Sequence, residues 1–150
     1  ITTGLVGSEM CIRDSNNYLN KELFPVHSLK SVIAQIINCK KGESVGYNRS
    51  FICKNDTMVG VIPIGHADGI SRSFSKNAHV FISGKKAEVL GNICMDVLMI
   101  NLNGINCDEG DEVVVFDSKN NAEDFAKSVG TISYEILTNL SSRIQRKIIR

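Results

Sequence analysis

No apolar run in this chain approaches the roughly 20 residues needed to cross a bilayer, so a membrane-spanning helix is not expected. Nor is there an excess of one charge: 17 basic residues face 16 acidic ones, which leaves no electrostatic footprint for nucleic acid. Cys-x-x-Cys pairs are absent as well. The five cysteines, Cys11, Cys39, Cys53, Cys94 and Cys107, are odd in number and widely spaced, which suggests neither a disulfide framework nor a zinc site. No metal centre is expected. Reduced thiols in a cytoplasm are the natural reading. With two prolines and no low-complexity stretch, the chain also lacks a recognisable linker.

What remains is enough for one globular domain. The 150 residues are 43% hydrophobic, a composition that can bury a core. Residues 1–15, including Gly4-Leu-Val-Gly-Ser-Glu-Met-Cys-Ile-Arg-Asp-Ser15, do not continue the pattern that follows. They resemble a translated sequencing adapter and are expected to be non-native sequence, the alternative being a true N-terminal strand. The native chain is then expected to begin near Asn16, in mid-protein, with residues 16–150 forming one domain.

That domain reads as mainly β. Mixed apolar and polar residues predict strands over 29–37, 44–54, 58–64, 97–102 and 112–116, and a hairpin over 79–90. Residues 65–78, rich in Gly, Ser and Asn, predict a loop. A helix is predicted over 122–129: Asn121 suits the N-cap, Glu123 and Asp124 the positive first turn, and Gly130 the end. A second short helix is expected over 134–140, and a closing strand over 142–149. Many short strands with turns between them predict a closed or nearly closed β-barrel.

Three glycine-punctuated clusters stand at the ends of apolar runs: Val45-Gly-Tyr-Asn-Arg-Ser-Phe51, Ile62-Pro-Ile-Gly-His-Ala-Asp-Gly69 and Gly91-Asn-Ile-Cys-Met-Asp96. Taken singly, each has a plain structural reading. A tyrosine on a strand is more often packing than chemistry, and Cys94 and Met95 read as strand-end core. Asp68 and Asp96, without a His or Glu at ligand spacing, read as caps of glycine turns. In this order and spacing, however, the clusters resemble the C-terminal β-domain of bacterial alanine racemases, and Thr131-Ile-Ser-Tyr-Glu135 adds a fourth match. The resemblance covers about residues 23–150.

It implies a β-barrel-like domain of a pyridoxal 5'-phosphate enzyme that interconverts L- and D-alanine for peptidoglycan. Tyr47 would be one of two acid/base groups, working opposite a lysine of another domain. The backbone N–H at Met95 would help to hold the substrate carboxylate, and the Tyr134 hydroxyl would reach the cofactor phosphate. His66 and Arg72 would flank the substrate entrance. At position 66 the family commonly has tyrosine, so a wider entrance and an added pH dependence are expected from an imidazole there. Asn92 stands where a second entrance arginine is often found.

Nothing here matches the family's Schiff-base lysine or the α/β-barrel that carries it, so both are expected outside this chain. The resemblance further implies a homodimer in which this domain completes the partner's site, with the isolated chain inactive. Two other readings stand beside it. One is a related pyridoxal-phosphate racemase for serine or basic amino acids. The other is a stand-alone β-barrel that binds a partner or small molecule without catalysis.

Overall fold

The computed structural model describes residues 24–148. The expectation for residues 1–15 therefore lies outside the described part. Nine strands are present there: β1 (Leu29–Val32), β2 (Gln35–Cys39), β3 (Ser44–Val45), β4 (Phe51–Ile52), β5 (Thr57–Ile62), β6 (His79–Ile82), β7 (Lys85–Leu90), β8 (Leu98–Asn101) and β9 (Glu112–Phe116). Two helices follow, α1 (Ala122–Val129) and α2 (Ser133–Asn139). Seven strands form one antiparallel sheet in the order β1-β9-β6-β7-β8-β5-β2, while β3 and β4 pair separately.

The two edges of that sheet, β1 and β2, are consecutive in the chain and are joined only by Ile33 and Ala34. At this corner Ile33 N–H donates to the Asp111 carbonyl (3.0 Å), while Ala34 N–H donates to the Val61 carbonyl (2.8 Å). Successive amides thus bond toward opposite ends of the sheet order, and the curled sheet brings its two edge strands together at this corner. The barrel-like expectation holds. The single strand predicted over 29–37 does not, because the corner divides it.

Alternation builds the core. In β6, Val80 and Ile82 are buried while His79 and Phe81 are partly covered; in β8, Leu98 and Ile100 point inward. Ile62, Val113 and Phe116 complete the interior, and α1 lays Phe125 across it, edge-on to Phe74 at a centroid distance of 6.2 Å. The α1 cap is as predicted: Asn121 Oδ1 accepts from Glu123 N–H (2.9 Å) and Asp124 N–H (3.0 Å), and Gly130 at φ 80° ends the helix.

Two further expectations are corrected. The strand predicted over 44–54 is interrupted by a 3-10 turn, Tyr47–Arg49, because Gly46, Asn48 and Arg49 all take positive φ (80°, 58° and 50°). The closing strand predicted over 142–149 is not formed in residues 142–148, where a turn over 142–144 is followed by irregular backbone. The predicted loop 65–78 contains two 3-10 helices, His66–Asp68 and Arg72–Lys76.

Candidate functional site

The site begins with the turn that carries Tyr47. Three residues in the left-handed region within four positions are costly for side chains other than glycine, and such strain persists only where surroundings enforce it. Here the enforcing element is the Gly91-Asn92 turn. Asn92 N–H donates to Ser50 Oγ (2.9 Å), and Asn92 Nδ2 donates weakly to the Tyr47 carbonyl (3.4 Å). Gly91, at φ 68°, lies so near Val45 that a Cβ there would stand 2.8 Å from the Val45 carbonyl oxygen. The backbone of Tyr47 is fixed, yet the residue is 67% exposed. A rigidly mounted tyrosine left open to solvent contributes little to a core.

The second part joins the Gly65–Asp68 loop to the Cys94–Asp96 turn. His66 N–H donates to the Cys94 carbonyl and Ala67 N–H to the Met95 carbonyl, both at 2.9 Å. Gly65 is required by this closeness: a Cβ would come within 2.4 Å of the Met95 carbonyl oxygen. Met95 is 58% exposed. Its N–H donates to none of the described residues. Cys94 directs its thiol to the Asn92 carbonyl.

Asp68, only 5% exposed, is the polar centre beneath this surface. Its Oδ2 accepts from Gly65 N–H at 2.9 Å, which confirms the turn-capping role read from sequence. Arg143 was missed in the sequence. Its Nε donates to Asp68 Oδ1 (2.6 Å) and its Nη2 to Asp68 Oδ2 (3.0 Å), and Nη2 also reaches Asp96 Oδ1 (2.6 Å). The guanidinium holds the Asp68 carboxyl below the ordinary carboxylate range, and the Gly65 N–H adds to this against the opposing effect of burial. Arg143 is held charged by the same two carboxylates. Ser141 N–H donates to the Asp68 carbonyl (3.2 Å), so the tail is tied twice to the loop.

His66 and Arg72, both exposed, line an open cavity of about 410 Å³ together with Gly69, Ser71 and Asn139. Gly69 is held against the last turn of α2, where a Cβ would meet the Asn139 carbonyl oxygen at 2.4 Å. Tyr134 stands in the first turn of that same helix and is 39% exposed. Hydrogen-bonded turns thus link the Tyr47 turn to Gly91-Asn92 and the His66 loop to the Met95 turn, Arg72 shares a cavity with His66, and α2 carries Tyr134. Among the described residues no group of His, Cys, Asp or Glu is arranged to hold a metal.

A sequence profile described as "Alanine racemase, C-terminal domain" matches residues 26–148. The chain is 41% identical over 128 residues to an alanine racemase of Helicobacter pylori strain G27, covering 83% of this chain and 34% of that enzyme. An alanine racemase structure from Streptomyces coelicolor superposes with a TM-score of 0.79 at 35% identity, over 83% of this chain and 34% of that one. The Bartonella henselae alanine racemase, solved with covalently bound pyridoxal phosphate, gives 0.78 at 29% identity, over 81% and 34%. The chain therefore spans about a third of the length of the relatives it matches.

Proposed function

Because this chain belongs to the family of alanine racemase C-terminal domains, we propose that it is the β-domain of an enzyme interconverting L- and D-alanine, with Tyr47 as the acid/base group it supplies. The observation that carries this reading is the Tyr47 turn itself, whose backbone is strained and locked while the phenol faces outward.

Racemisation requires a proton to leave one face of the α-carbon and another to arrive from the opposite face. Tyr47 Oη holds and moves the proton on one face, the part of a positioned acid/base group. The Met95 N–H, which no described residue uses, binds the substrate carboxylate. The Tyr134 hydroxyl would help to hold the cofactor by donating to its phosphate. His66 and Arg72 at the mouth of their cavity meet the incoming amino acid first. Pyridoxal phosphate, when bound, supplies the electron sink that makes the α-proton acidic.

The donor set fits that cofactor as one wall of a site. Two phenols and a spare backbone donor are present, whereas every described lysine is exposed to water, unlike the sheltered lysine that anchors such a cofactor. The anchoring lysine then belongs to a further domain. An open face must also be covered before proton transfer can proceed away from bulk water. Tyr47 and Met95 expose most of their surface, and a second subunit laid on them completes the site, which makes the enzyme a homodimer. D-alanine for peptidoglycan is the product, made in the cytoplasm. Among the described residues no helix is long and apolar enough to cross a membrane.

The test is Tyr47→Phe in the full-length enzyme. Alanine racemisation should fall by about 10²–10⁴-fold, the usual worth of a positioned acid/base group, while cofactor absorbance stays unchanged. Undiminished turnover would sink the assignment of Tyr47.

A further inference from the structure

We infer that Arg143 is a positioning residue for the substrate carboxylate: by gripping Asp68 and Asp96 together, it fixes the Met95 turn against the His66 loop. The inference rests on the racemase reading above for its consequence, but its geometry stands apart from it.

Three segments distant in sequence meet at one guanidinium. Asp68 belongs to the loop after β5, Asp96 to the turn before β8, and Arg143 to the tail after α2, 75 residues beyond Asp68. Planar, forked donors are what such a junction needs. Nε and Nη2 make a two-point pair with Asp68, which fixes the plane of the guanidinium, and Nη2 then has only one direction left toward Asp96. A lysine ammonium, with its donors on a single atom, sets no such plane.

The two halves of the junction differ in weight. Asp68 is buried and already engaged with Gly65 N–H, so it cannot turn to solvent if Arg143 is lost. Asp96 is exposed (57% of its side chain), and its pairing alone contributes little to stability. Its importance is positional. Asp96 directly follows Met95, so tethering its carboxylate limits how the Met95 N–H can tilt. Without the tether, the hydrogen bonds that hold the turn to the loop among the described residues are the two from the His66 and Ala67 amides.

Tyr47 is fixed by a separate device, Ser50 and Asn92. The two devices therefore predict different kinetic signatures. Loosening the carboxylate site weakens substrate binding, whereas loosening the Tyr47 turn slows proton transfer.

The experiment uses the full-length enzyme and two independent readouts. Amide hydrogen exchange in Arg143→Gln should accelerate by about tenfold or more at His66, Ala67 and Cys94, with the β6–β7 hairpin unchanged. In steady-state kinetics the same variant should raise KM for alanine about tenfold and leave kcat within about threefold, while Ser50→Ala should load on kcat. In Arg143→Ala, millimolar guanidinium should lower KM again in a concentration-dependent way, which a merely structural arginine would not show. Should the Arg143 variants fail to fold, Asp96→Asn removes only the exposed arm and should shift KM and exchange in the same direction, by less.

Unchanged exchange at His66 and Ala67, or an exchange increase spread over the whole domain with KM unaltered, overturns the inference. If the wild-type enzyme does not racemise alanine, the functional reading fails instead, and the exchange data still decide whether Arg143 fixes the turn.

Discussion

Gly65 shows how one missing methyl group shapes the site. Its φ of −150° is open to any residue, so the need for glycine is not conformational. It is steric, since a Cβ would stand 2.4 Å and 2.5 Å from the Met95 and Cys94 carbonyl oxygens, and neither is the end of a flexible side chain. Gly65→Ala must push the Met95 turn away and stretch the bonds from His66 and Ala67. We expect a loss of about 1–3 kcal/mol in urea unfolding, in the range of core overpacking, together with a raised KM for alanine. A variant as stable as the wild type would show that the turn gives way freely, and the tight seating of the loop would then have no role.

The elements divide by whether their causes are local. Strand β9 and helix α1 were legible to the residue, because β-branched alternation, the Asn121 cap and the Gly130 terminator all lie inside or beside the segments they define. The Tyr47 turn was not, since its positive φ at Asn48 and Arg49 is imposed by Asn92, more than forty positions away. The corner at Ile33 and Ala34 was hidden for the same reason: its hydrogen-bond partners, Val61 in β5 and Asp111 just before β9, are distant in sequence. Arg143 left no local sign at all. The family resemblance pointed to the segments that hold His66 and Met95, while the charge that joins those two loops could not be read.

A local rule that the chain breaks sits in the β6–β7 hairpin. Ser83 and Gly84 form its two-residue turn with φ of 48° and 77°, the pair of left-handed conformations that Asn-Gly adopts most readily. Serine at the first of these positions carries a steric cost that asparagine reduces. Because Ser83 is exposed, no packing interaction opposes the change. Ser83→Asn should therefore stabilise the protein by about 0.5 kcal/mol, seen as a higher urea midpoint with the slope unchanged. A lower midpoint would mean that the turn departs from this geometry in solution.

At the scale of the whole molecule, the Arg143–Asp68 pair fastens the C-terminal tail to the curled sheet and so links acid stability to the site. The Asp68 carboxyl is held below its unfolded value of about 3.9, mainly by the guanidinium and then by Gly65 N–H. A group with a depressed folded pKa contributes stability that is fully present above the unfolded value and is lost as pH falls through the folded one. Asp56, paired with Lys40, and Asp117, accepting from Asn120 and Lys119, are shifted the same way but lie at the surface, where solvent screens them. Asp68 should accordingly dominate the acid limb. Above about pH 4 the wild type should exceed Asp68→Asn in unfolding free energy by about 1–3 kcal/mol, the range for a buried group bonded to a charge. That gap should narrow progressively as the pH is lowered further, because protonated Asp68 and asparagine are then alike in charge. Urea titrations of both proteins between pH 7 and pH 2.5 decide the matter. A gap independent of pH would assign the loss to packing rather than to the ion pair, and the tail would then be held by Ser141 and its contacts instead of by Arg143.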